Sequence, residues 1–247
     1  MNAALAKLTR TEFRLFLREP ALVFFAVLFP CILVGILGSV PSFRKPQPGL
    51  GGITVVDLYV TIAIMMALAM LGLQFTPSVL ANYRERGVLR RLSTTPVPPV
   101  LLLAAQLAMS LVIAVVTGIA VLGIGRIAFG VPLPRQLVGY LIAFVLCAGA
   151  LFGIGLIVAA LAPSGKAANG IGTIIFFPVM FFAGLWVPRE VMPPVRRQVA
   201  DFTPLGAGER ALHDAATGSW PHLGQLAVLA GYVVVCGLAA ARWFRWE

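Results

Sequence analysis

The 247-residue chain is 60% hydrophobic and 11% charged, with a mean hydropathy of +0.95 and a formal charge of +10. Soluble domains carry about 25% charged residues, so this chain lacks the polar groups to cover a globule. A soluble enzyme, a disordered protein and a disulfide scaffold are excluded, and an all-α polytopic membrane protein remains.

Residues 1–20 form the first predicted element, an amphipathic helix lying in the membrane interface. Lys7, Arg10, Arg14 and Arg18 fall on one face, toward anionic head groups, while Leu5, Leu8, Leu15 and Phe16 gather on the other. Glu12 and Glu19 sit on the apolar side, where pairing with nearby arginines is expected and contact with a partner or with the 81–99 loop is the alternative. Pro20 opens the first span at a position where its missing N–H costs little.

A hydrocarbon core about 30 Å thick needs roughly 20 apolar residues of helix. Six runs meet this: 21–40, 56–80, 100–125, 137–162, 168–187 and 223–241. The first is too long for a signal-peptide core, and no convincing cleavage site follows it. Continuous runs, rather than alternating ten-residue strands, exclude a β-barrel. The whole chain, 1–247, reads as one transmembrane domain, with a 188–222 connection before the sixth span.

Lys7, Arg10, Arg14, Arg18, Arg84, Arg86, Arg90, Arg91, Lys166, Arg242 and Arg245 share one side of these spans. The positive-inside bias puts both termini and the 81–99 loop in the cytoplasm of a multi-pass protein of the cytoplasmic membrane. The same topology accounts for the basic excess, and no basic patch interleaves with aromatics as nucleic-acid binding requires.

Catalytic and metal chemistry find no constellation. Asp57 sits at the edge of the second span, no other acid lies in a span, and His213 and His222 lie in the 188–222 connection. Cys31, Cys147 and Cys236 lack metal-ligand spacing and read as core hydrophobes. Ser164-Gly165-Lys166-Ala167 imitates the end of a phosphate loop, but Ala160 and Ala167 stand where glycine and Ser/Thr belong. Gly149 and Gly153 read as a helix-packing pair. Any transport against a gradient takes its energy from another subunit.

Two connections carry the functional signal. Residues 81–99, Ala-Asn-Tyr-Arg-Glu-Arg-Gly-Val-Leu-Arg-Arg-Leu-Ser-Thr-Thr-Pro-Val-Pro-Pro, predict a short helix to Leu92, stopped at Pro96. Leu89 and Leu92 place an apolar knob on that basic helix, a shape suited to docking in a groove; a plain topology anchor would need only the arginines. From Pro178 through Trp186 to Pro188, Pro193 and Pro204, the chain predicts an external re-entrant or interfacial element before the sixth span.

Taken together, the basic helix ending Arg18-Glu19-Pro20, the six spans, the Arg84-Glu85-Arg86-Gly87-x-Leu89-Arg90-Arg91-Leu92…Thr95-Pro96 loop and the Gly184-Leu185…Met192-Pro193…Pro204-Leu205 stretch resemble the membrane subunit of a type-2 ABC exporter. That group includes bacterial drug and antibiotic efflux permeases. The likeness covers essentially the whole chain, and its specificity lies in the order of the motifs.

The resemblance implies a coupling helix that docks on a separate ATP-binding subunit through Glu85, Arg86, Gly87, Leu89, Arg90 and Leu92, closed by Thr95 and Pro96. ATP and Mg would be bound by that partner and no cofactor by this chain. Two permease copies, identical or paralogous, would pair in the lipid bilayer, and the 188–205 stretch would cap the pathway. The absence of a large external domain fits a compact exporter.

Helical spacing offers a substrate route along Thr61, Met65, Leu68 and Gly72 of the second span and Asn169, Thr173, Phe176, Met180 and Gly184 of the fifth. Ordinary helix packing explains the same spacing, and both readings stand at this point. Such a lining suits lipophilic or amphiphilic cargo; export of a lipid-linked glycan, an ion-coupled carrier and a non-transporting anchor are the alternatives.

Overall fold

A computed structural model describes residues 2–50, 52–88 and 100–243. These residues are helical with short connections, and six helices are long and apolar enough to cross a membrane. The interfacial helix α1 is Asn2–Leu17, and the spans are α2 (Pro20–Ser39), α3 (Val55–Glu85), α4 (Val100–Phe129), α5 (Leu137–Leu161), α6 (Gly165–Phe182) and α9 (Leu223–Trp243). Between α6 and α9 lie two shorter helices, α7 (Pro194–Asp201) and α8 (Pro204–Thr217).

Two boundaries differ from expectation. The second span continues to Glu85, absorbing the start of the expected loop, and the fifth stops at Phe182. The α3 start is set by a capping box: Thr54 Oγ1 accepts from the Asp57 N–H at 3.0 Å, and the Asp57 carboxylate accepts from the Thr54 N–H at 3.0 Å. Asp57 is thus a helix-starting residue.

The bundle is organised around α3. From Ile62 to Ala69 its side chains are almost wholly enclosed, with α2, α4, α5, α6 and α8 packed around it. Within a bilayer the lipid tails are as apolar as leucine, so close packing rather than water exclusion holds such helices together.

Prolines shape the first two spans. In α2, Pro30 has no N–H for the Ala26 carbonyl, and the helix widens to π geometry over Phe24–Leu28. The Thr117 hydroxyl of α4 donates to that Ala26 carbonyl at 3.3 Å, a neighbouring helix satisfying the group that proline leaves open. In α3, Pro77 withholds the same bond from Leu73, and π geometry runs over Met70–Phe75.

The exposed backbone of that second widening meets glycines. A Cβ on Gly155 of α5 would strike the Gly72 carbonyl, and one on Gly172 of α6 would strike the Leu73 carbonyl. Gly72 itself lies under Leu151, where a Cβ would come within 2.9 Å of the Leu151 Cβ. Spans two, four and five therefore touch backbone to backbone. Gly149 and Gly153 make room for side chains of α9: added Cβ atoms would come within 3.0 Å of Val233 Cγ2 and 2.8 Å of Cys236 Cβ.

The 188–222 connection folds into the bundle. After a 3-10 turn at Arg189–Val191, α7, exposed along most of its length, and α8, largely buried, form a helical hairpin. The Phe202 carbonyl at its tip accepts from the Tyr232 hydroxyl of α9 at 3.1 Å. Thr203 caps α8 through a 3.1 Å bond from the Gly206 N–H, and Gly218 ends it with a left-handed φ of 107°. Small residues let α8 wedge between α5, α9 and α3; Gly208 leaves room for Cys147 and Met65. Asp201 at the tip is bridged by Arg189 and Arg210, the latter at 3.3 Å.

Candidate functional site

The last turn of α3 joins four elements. Tyr83, Arg84 and Glu85 leave the helix in different directions, and each finds a partner about 70 to 80 residues away. Tyr83 donates its hydroxyl to both Glu12 carboxylate oxygens at 3.0 Å, tying α3 to α1. Phe16, one turn beyond Glu12, packs edge-on against Phe75 with centroids 5.3 Å apart. Glu12 therefore bonds the start of the 81–99 segment, the alternative contact, rather than the expected arginines.

Arg84 closes the end of α5. Its Nη1 donates to the Ala159 carbonyl at 3.1 Å and the Ala160 carbonyl at 3.0 Å, and Nη2 reaches the Ala162 carbonyl. The last carbonyls of a helix have no partner within it and carry its negative dipole end, so a guanidinium there satisfies both hydrogen bonding and charge.

Glu85 does the converse at α6. Its Oε2 accepts from the Gly165 N–H at 3.1 Å, at the positive end of that helix, while Ser164 Oγ caps the Ala167 N–H at 3.2 Å. The Asn82 side chain fills the space that a Cβ on Gly165 would need. Ser164-Gly165 is thus the socket for the end of α3.

Burial pushes the Glu12 carboxyl above its usual pKa of 4.5, and the Tyr83 hydroxyl offsets part of that rise by bonding the carboxylate. The joint fixes where the chain leaves α3 and links that point to α1, α5 and α6.

Of the expected coupling residues, Glu85 and Arg86 are exposed, and Gly87 turns the chain with φ +68°. Leu89, Arg90, Leu92, Thr95 and Pro96 lie outside the described residues. On the expected route, Met65, Leu68 and Gly72 are enclosed within the protomer; Met65 Sδ lies 4.0 Å from Cys147 Sγ. Phe176 and Met180 are buried as well, and Gly184 sits beyond α6 with φ +88°. Asn169 is exposed and Thr173 half-buried on the outer side of α6, and Thr61 alone of its face opens on a cavity.

Tyr83 and Arg84 were not singled out by sequence reasoning. Their signal was local, a tyrosine and an arginine directly after an apolar run, but their partners are distant in sequence. Gln106 of α4 was also missed: it is fully buried, and neither amide atom has a partner among the described residues.

Residues 4–215 match the family described as ABC-2 type transporter. The chain is 26% identical over 138 residues to the inner membrane transport permease YhhJ of Escherichia coli strain K12, and equally so to that of Shigella flexneri. The matched stretch covers 56% of this chain and 37% of each relative's length. Six apolar spans, an interfacial helix and a family match over most of the length agree: the chain belongs to the ABC-2 type transporter family, as a non-catalytic, multi-pass membrane permease domain of an ABC transporter.

Proposed function

We propose that the chain is the permease subunit of an exporter in the cytoplasmic membrane, driven by a separate ATP-binding subunit that docks on residues 85–96, with both termini on the cytoplasmic side. The observation that carries this reading is the joint at Tyr83-Arg84-Glu85, because a push on the 81–99 segment passes directly to α1, α5 and α6. A topology anchor has no use for such linkage.

Two copies of the permease enclose the pathway, each contributing the outer faces of α2 and α6. Phe25, Leu28 and Ile36 of α2 and Ile174 and Phe177 of α6 are exposed in the single protomer. Asn169 and Thr173 stand on that α6 surface, so the cargo is lipophilic or amphiphilic, with a few hydroxyl and amide contacts. The re-entrant α7–α8 hairpin closes the opposite, external end.

The test is a mild-detergent pull-down of tagged protein from its native host, assayed for co-purifying ATPase. An ATP-binding partner is expected, and the double variant Glu85→Ala, Leu89→Asp should insert normally yet lose it. A clean preparation with no ATPase, or a double variant that retains full partner activity, overturns the coupling assignment. ATPase stimulation by hydrophilic solutes and indifference to lipophilic ones overturns the cargo class.

A further inference from the structure

Two cavities adjoin at the end of the bundle opposite the joint. The first, about 240 Å³, has a largely apolar wall into which Asp57, Thr61, Arg135, His213 and Thr217 bring polar groups. The second, about 330 Å³, is an apolar slot between α4 and α5, reached between the exposed side chains of Ile119, Leu137 and Leu141. Leu122, Pro134 and Tyr140 belong to the walls of both.

Tyr140 is 6% exposed and Thr61 7%, yet neither hydroxyl has a hydrogen-bond partner among the described residues. A buried tyrosine hydroxyl ordinarily finds a partner, and an unmade bond at a buried polar group is costly. Tyr140 stands where the two cavities meet, and Thr61 lines the first. Arg135 has no carboxylate partner among the described residues, and its backbone is held in place by a 3.3 Å bond to the Ala216 carbonyl.

We propose that the joined cavities form a site for a membrane phospholipid, with the phosphate at Arg135, the glycerol ester region at Tyr140 and Thr61, and one acyl chain in the α4–α5 slot. The shape follows the chemistry of an amphiphile: cation, then hydroxyls, then a slot lined by Ile, Leu, Val and Phe that opens sideways to the bilayer. A soluble solute would leave the slot empty, and a plain hydrocarbon would leave both hydroxyls unpaired. The site is independent of the ATPase assignment, because it needs only a chain seated in a bilayer. It ties the lipid to the C-terminal end of α8 and the start of α3.

The experiment uses the full chain in phosphatidylcholine nanodiscs with a phosphatidylglycerol probe carrying a diazirine in its acyl chain. Cross-linked peptides are mapped as the probe fraction rises. Saturable labelling of the 115–122 and 133–144 segments is expected. Tyr140→Phe removes one neutral hydrogen bond and should raise the half-saturating fraction about fivefold; Arg135→Gln removes a charged one and should raise it about tenfold or more.

Gly118→Leu supplies a variant that blocks the slot without disturbing the helix. A Cβ there meets only Phe144, at 3.7 Å, and the longer side chain should abolish saturable labelling. Labelling spread evenly over the exposed faces of α4, α5 and α9, or a half-saturating fraction unchanged in all three variants, overturns the proposal.

Discussion

The two ends of α3 are built on opposite principles. At Tyr83-Arg84-Glu85 the side chains are spent on neighbours: a carboxylate, three carbonyls and a backbone N–H. At Asp57–Thr61 the helix start is satisfied by its own capping box, and beyond it Thr61 and Tyr140 present hydroxyls to open space. Under the proposed function the first end would transmit force, because its side chains are tied to three other helices; under the proposed lipid site the second would receive a ligand, because its hydroxyls bond no other described residue. A single helix thus joins a rigid coupling and an open chamber.

Breaking the closed end should give the largest effect. Arg84→Met leaves the α5 terminus without its cation and orphans its carbonyls, and it should cost about 3 kcal/mol, since bonds to charged groups are worth about 1.5–3 kcal/mol. Thermal unfolding in detergent, followed by fluorescence, reads this directly; a melting temperature within a degree of wild type would show that the guanidinium bonds are dispensable.

Tyr83→Phe should cost about 1–2 kcal/mol, because it leaves a buried carboxylate without its donor. The same contact predicts a pH dependence. The Glu12 pKa is raised in the fold, so its contribution is fullest below the ordinary value of 4.5 and is lost as pH rises through the raised one. Melting temperature measured between about pH 4 and pH 8 should therefore fall more steeply in wild type than in Glu12→Gln, which cannot titrate. Parallel curves would remove Glu12 from the account.

At the open end the same probe should find almost nothing. Tyr140→Phe in delipidated detergent should change stability by less than about 0.5 kcal/mol, since its hydroxyl bonds no other described residue. A loss comparable with that of Tyr83→Phe would erase the contrast between the two ends.

The spans were legible because an apolar run of the right length has few other fates. Pro20, Pro30 and Pro77 could be placed from sequence, but not the carbonyls they release or the groups that meet them, since Thr117, Gly155 and Gly172 stand on other helices. A re-entrant or interfacial element was expected between residues 188 and 205; the structure has two helices from there onward, and the long second one, Pro204–Thr217, was not foreseen. That helix is rich in Gly and Ala and carries Glu209, Arg210, His213 and Asp214, so its hydropathy is unremarkable, and its burial follows from how closely small residues let it approach α5. Met65 and Leu68 share a face with Thr61 by periodicity, but only the surrounding helices decide that they are enclosed while Thr61 reaches a cavity.

The glycine contacts among α3, α5 and α6 carry a further consequence. Side chains between helices act as a lubricant layer: rotamers adjust, and neighbouring helices slide by small steps. Where Gly155 meets the Gly72 carbonyl and Gly172 meets the Leu73 carbonyl, that layer is missing, and the three backbones are keyed together at mid-membrane. Under the proposed coupling, a stroke delivered at Glu85 would be carried through these three helices without slack, as a rod carries it, and the surfaces left to slip would be the outer ones, where this bundle meets whatever lies beside it.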